Sequence, residues 1–169
     1  MVSKKVEKAL NDQVAKEAMS SQAYLAMASW AEVQGLEGVA AFLYKHSDEE
    51  RMHTIKLMRY INERGGHAEV PALPKPPKEM KGILDAFQNI LRQEIAVSAD
   101  INAIVDLCLK EKDYTTHNFM QWYVAEQIEE ERLARNLLDK LDLIGNDKAG
   151  LYLFDRDLLG RKEPQGAAF

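Results

Sequence analysis

The chain has 169 residues, 46% of them apolar and 29% charged, with a net charge of −5. That length fits one domain able to bury its own core, and the acidic balance excludes a surface built to grip nucleic acid while suiting cations. The single cysteine, Cys108, rules out an internal disulfide or a Cys-x-x-Cys ribbon, and no apolar run approaches the ~18 residues needed to cross a bilayer.

The opening Met1-Val-Ser-Lys-Lys carries no apolar h-region, so a cytoplasmic protein is expected. Prolines are absent before Pro71, gather at Pro71, Pro74, Pro76 and Pro77, and return only at Pro164. Proline breaks helix interiors, so the proline-free stretches with helical periodicity predict helices over about 4–33, 37–64, 82–110 and 114–143. A shorter one is predicted near 147–158, with residues 1–160 forming one domain and 161–169 a flexible tail.

The first predicted helix has an inward stripe of Leu10, Val14, Glu17, Ser21, Tyr24, Ala28 and Ala31. The second shows Val39, Phe42, His46, Glu50, His53, Leu57 and Tyr60 or Ile61. Between the second and third helices lie the seventeen residues Gly65–Lys81. Extended at ~3.1 Å per residue, they reach roughly 50 Å. The second predicted helix, 28 residues at ~1.5 Å per residue, spans only about 42 Å. The third helix can therefore start parallel to the second, which predicts an all-α four-helix bundle with one long crossover. Its stripe is Leu84, Phe87, Leu91, Glu94, Ser98, Ile101, Val105 and Cys108, with Cys108 expected as a small buried apolar residue. The fourth gives Phe119, Tyr123, Glu126, Glu130, Leu133, Leu137 and Leu141.

All four long helices thus carry a glutamate mid-length on the face that should be apolar. One ionised carboxylate in such a core is costly enough to take up a proton. Glu17, Glu50, Glu94 and Glu130 would bring four charges to one level, with no lysine or arginine on the same stripes there. Two divalent cations would balance them. Glu50-Arg51-Met52-His53 adds an imidazole one turn away, and a Glu from each of two helices plus Glu-x-x-His motifs on the others is the di-iron carboxylate pattern. Alone, a Glu-x-x-His fits a solvated face, and a lone Glu94 fits a protonated core carboxyl. Four at matching depth do not.

At these residues the chain resembles the bacterial non-haem ferritins. Gly38-Val-Ala-Ala-Phe-Leu43, His46-Ser-Asp-Glu-Glu-Arg-Met-His53, Asn118-Phe-Met-Gln-Trp-Tyr-Val-Ala-Glu-Gln-Ile-Glu-Glu-Glu131 and Gly150-Leu-Tyr-Leu-Phe154 carry the resemblance. It implies a ferroxidase that oxidises Fe(II) with O2 or H2O2 and stores Fe(III) mineral inside a homo-oligomeric, 24-subunit cage. One iron would lie with Glu17, Glu50 and His53, and Glu50 would bridge to a second iron held by Glu94 and Glu130.

Glu49, Glu126 and Glu129, with Glu130 shared, match a third iron site of such ferritins, although Glu49 and Glu129 also fit a solvated acidic face. Tyr24 matches the tyrosine beside the ferroxidase centre, while periodicity alone makes it packing. Gln127 matches a residue behind the second iron. The symmetric di-iron bundles repeat Glu-x-x-His on the fourth helix, where this chain has Gln127 and Glu130. Arg51 stands where bacterioferritins place a haem-ligating methionine, so no haem is expected. His46 is expected as a hydrogen-bonded core histidine, and Trp30 and Trp122 as packing. The alternative is a di-iron peroxidase of the rubrerythrin kind. It would bring a four-cysteine iron domain, which one cysteine cannot build.

Overall fold

The structure, a computed structural model, describes residues 1–160; the tail expected at 161–169 lies outside the described residues. The helices are α1 (Lys4–Val33), α2 (Glu37–Glu63), α3 (Ile83–Lys110), α4 (Tyr114–Ile144) and α5 (Lys148–Leu159), and the described residues contain no strand. Every boundary falls within one residue of the sequence expectation. None of these helices is long and apolar enough to cross a membrane.

Sequence explains the helix ends. Ser3 accepts from the Val6 amide, Asp113 from Thr116, and Asp147 from Ala149 and Gly150, which satisfies first-turn donors of α1, α4 and α5. At the end of α1, Gly35 (φ 74°) lets its own amide reach the Glu32 carbonyl while Leu36 reaches Ala31. Gly65 and Gly66 do the same at the end of α2 through Asn62 and Ile61. Both are Schellman closures, for which glycine is the unstrained residue.

Hydrogen bonds and ion pairs between helices fix the directions of the helices. Val2 pairs with Arg64 across α1 and α2. Tyr24 meets Glu94 and Lys5 meets Glu111 across α1 and α3. Tyr60 meets Thr116 and Tyr123 meets His53 across α2 and α4. In each case early residues face late ones, so α1 is antiparallel to α2 and to α3, and α2 and α3 run parallel. The crossover does what its length predicts. Its first part is tied down by Glu7, which accepts from the His67 amide, and by Asn11, which bonds His67 and Glu69.

The core is split. One apolar cluster gathers Ala28, Leu43, Phe87, Leu137 and Phe154, and a second gathers Val6, Leu10, Leu57, Ile61, Ile101 and Met120. The glutamate-bearing level lies between them. The stripes of α1 and α2 are buried along their whole predicted length. On α3 the buried face passes through Ile90, Val97 and Ile104 in place of Leu91, Ser98 and Val105. On α4 it centres on Met120, Gln127 and Ala134, leaving Glu126 and Glu130 at its flanks.

Helix α5 closes one end of the bundle, packed on α2 and α4. The N-terminus of α2 has no capping side chain of its own; Asp155 of α5 accepts from the Val39 amide at 2.8 Å instead. Gly38 makes that approach possible, because a Cβ there would meet the Asp155 carbonyl oxygen at 1.8 Å. Gly38→Ala should displace α5 and lower stability by about 1–3 kcal/mol, read as a lower melting temperature. An unchanged melting temperature would show that α5 is not docked this way.

Candidate metal centre

Three of the predicted ligands meet at the middle of the bundle. Glu50 and His53, one turn apart on α2, face Glu17 of α1, and their ligand atoms lie within 4.8 Å of one another. His53 Nδ1 stands 3.6 Å from Glu50 Oε2 and 3.8 Å from Glu17 Oε2. All three residues are buried. Gln13, one turn before Glu17, donates to Glu17 Oε1 at 2.8 Å, while Oε2 meets no donor among the described residues. Its neighbours are the Glu50 carboxylate and the His53 ring.

Glu94 comes in from α3, fully buried, with both carboxylate oxygens already engaged. The Tyr24 hydroxyl donates to Oε1 at 2.8 Å and the Gln127 amide donates to Oε2 at 3.1 Å. Tyr24 and Gln127 therefore hold the Glu94 carboxylate in place, a role beyond simple packing. Glu130 enters from α4 at the flank, with its side chain 14% exposed, close to His46 rather than gathered with Glu17 and His53.

A second group of three converges beside the first: His46, Glu49 and Glu130. Here the structure unites two of the four residues matched to a third iron site. Glu126 is half-buried and Glu129 is exposed, and neither joins this group. Glu126 still feels Glu129 and Glu49 electrostatically, since both help to raise its pKa after burial.

Sequence reading passed over Gln13 and Tyr123, whose hydroxyl donates to the His53 carbonyl at 2.8 Å, while His46 is the hydrogen-bonded core histidine expected. Gln13 had a usable signal: it is a polar residue four before Glu17 on the inward face of α1. His53 is also met edge-on by the Trp122 ring at 5.2 Å, and the Lys56 ammonium sits 3.6 Å over that indole. An open groove of about 680 Å³, lined by Lys45, Glu49, Met52, Lys56 and Phe119 among others, reaches His53 from outside.

The electrostatics are those of anions lacking a counter-ion. Burial, with Glu50 next, pushes the Glu17 carboxyl up to about 8. Burial and the Glu94 charge push Glu50 far above the ordinary carboxylate range, and burial raises Glu94 against the pull of Tyr24 and Gln127. Among the described residues, Lys16 is paired with Asp100 and Lys45 with Glu49, so neither is aimed at these carboxylates. The donor set (hard carboxylate oxygens and imidazole nitrogen around a donorless oxygen) suits divalent iron or manganese. Without metal, these groups must hold protons. Cys108, by contrast, is a buried thiol at the far end of α3, pushed up to about 11 by burial.

The sequence model of the ferritin-like domain family matches residues 7–144. The chain is 44% identical over 156 residues to a bacterial non-heme ferritin of Campylobacter jejuni, covering 92% of this chain and 93% of that one. It is also 44% identical over 158 residues to a probable bacterial non-heme ferritin-like protein of Haemophilus influenzae, covering 94% and 96%. Among solved structures, the open-pore ferritin of the archaeon Archaeoglobus fulgidus superposes with a TM-score of 0.94 at 40% identity, over 96% of this chain and 100% of that one. With its split core, its carboxylate level and relatives matched along nearly their whole length, this chain belongs to the ferritin family of iron-storing proteins.

Proposed function

We propose that the chain is a cytoplasmic ferroxidase subunit that binds Fe(II) at the carboxylate level, oxidises it with O2 or H2O2, and passes Fe(III) to a mineral inside a 24-subunit cage. The observation that carries this reading is the buried convergence of Glu17, Glu50 and His53, with the charge of Glu94 acting on Glu50 and Glu17 Oε2 meeting no donor among the described residues. Glu17, Glu50 and His53 would take one Fe(II), and Glu50, Glu94 and Glu130 a second. Glu49, Glu126, Glu129 and Glu130 would serve a third.

Binding Fe(II) displaces the protons that the apo centre must hold. Two Fe(II) then supply one electron each, which with two protons reduce O2 to H2O2, or H2O2 to two waters. Tyr24 and Gln127 keep the Glu94 carboxylate oriented throughout, and Gln13 does the same for Glu17. Hard carboxylates favour the Fe(III) product, and their freedom to change denticity offers a route for its release.

The test is anaerobic loading with Fe(II) followed by oxidant, with absorbance recording the Fe(III) formed. Two or three irons per subunit should oxidise in the fast phase, and a protein with no fast phase would defeat the reading. Light scattering should give about 460 kDa for 24 copies of the 19.2 kDa chain.

A further inference from the structure

We propose that His46 is itself a metal ligand, giving through Nε2 the imidazole for an Fe(II) held with Glu49 and Glu130. This rests on the ferroxidase reading and extends it, because neither the Glu-x-x-His motif nor the predicted third-site residues include His46.

The second triad reproduces the dimensions of the first. His46 Nε2 lies 3.8 Å from Glu49 Oε2 and 3.8 Å from Glu130 Oε2. At the first triad the matching separations from His53 Nδ1 are 3.6 and 3.8 Å. The ligand atoms of the second triad all lie within 4.8 Å of one another. A point equidistant from them is about 2.0–2.4 Å from each, where metal–nitrogen and metal–oxygen bonds run ~2.0–2.2 Å.

The ring is set for this role from behind. His46 Nδ1 lies 2.9 Å from the Phe42 carbonyl oxygen, which can only accept, so Nδ1 carries the hydrogen and Nε2 faces the carboxylates. A ligating histidine is held in this way by a backbone carbonyl at its other nitrogen. The ring is 2% exposed, with the Phe42 ring at 4.0 Å and the Tyr24 ring at 5.5 Å. It cannot swing out to solvent.

His46 also supplies what α4 lacks. A symmetric centre would repeat Glu-x-x-His on α4, with its histidine at the position of Glu130. This chain has Gln127 and Glu130 there, and Gln127 spends its amide on Glu94. His46 is seven residues before His53, hence on the same face of α2 two turns along. One helix thus offers both imidazoles, His53 toward Glu17 and His46 toward Glu130.

Crystals of the assembled protein soaked in Zn(II), a redox-silent probe, would test this by anomalous diffraction, with calorimetry counting the sites. Wild type should show one peak at Glu17, Glu50 and His53 and another within bonding distance of His46 Nε2. His46→Gln should lose the second peak and one calorimetric site per subunit while keeping the first. Glu49→Gln, at a half-exposed position that leaves the Phe42 bond untouched, should weaken the second site alone. A first peak with nothing bonded to Nε2, or a second peak undiminished in His46→Gln, overturns the His46 assignment only. Absence of both peaks in wild type overturns the ferroxidase reading along with it.

Discussion

Rapid Fe(II) oxidation should fall by roughly a hundredfold or more in the double variant Glu50→Ala/His53→Ala, with the bundle still assembled. Glu50 is the group on which the assigned centre depends most. It faces His53 and Glu17 on one side, and the charge of Glu94 is the strongest neighbouring influence on its own carboxyl on the other. Removing it should disconnect the two proposed iron positions, and removing His53 takes the only imidazole from the first. The fold should tolerate the change, because deleting a buried carboxylate lifts a repulsion that no lysine or arginine among the described residues is shown to offset. Stopped-flow absorbance after mixing with aerobic Fe(II) reads the rate, while circular dichroism and native mass check the assembly. Oxidation at the wild-type rate would place the chemistry elsewhere.

The second large effect is on the metal-free protein, whose stability should fall as pH rises. Glu17 has a folded value of about 8 against an ordinary 4.5, so between these values the folded chain binds more protons than the unfolded one. Stability from such a group is fully present below 4.5 and is lost as pH climbs through about 8. Glu50 and Glu94 are raised as well and push in the same direction. The melting temperature of chelator-treated protein should therefore drop from pH 5 to pH 8, and a divalent metal should restore it. Glu17→Gln, which resembles the protonated acid and keeps a partner for Gln13, should flatten this profile and melt higher than wild type at pH 8. A profile rising with pH, or a variant that follows wild type, would show that Glu17 is not buried among like charges.

The architecture was largely written in the primary pattern. Proline-free stretches marked the helices because proline is excluded from their interiors, and the crossover followed from chain length measured against helix length. On α1 and α2 the glutamates stand in stripes of Val, Leu, Phe and Ala with polar residues beside them, so the inward face had one solution. On α3 it had two. Ile90 and Leu91, Val97 and Ser98, and Ile104 and Val105 are adjacent candidates, and a step of three or four residues passes through either member. Packing against α1 and α4 chose the first of each pair. On α4 the same freedom let Glu126 stand in the predicted stripe where Gln127 occupies the buried face.

What stayed hidden was pairing between helices. Nothing local ties Tyr123 of α4 to the His53 carbonyl of α2. His46 was visible as an inward histidine, but its Nε2 acquires meaning only when α4 brings Glu130 beside it. The Glu-x-x-His spacing drew the eye to His53 because both of its members lie on one helix.

The central claim is that bound metal takes the place of protons on mutually repelling carboxylates. A pH-stat titration of the metal-free protein with Fe(II) under argon near pH 6.5 tests it most directly. We expect at least one proton per subunit to be released as iron binds, with the release lost in Glu50→Ala/His53→Ala. Tight iron binding with no proton release, or release unchanged in that variant, would contradict the account.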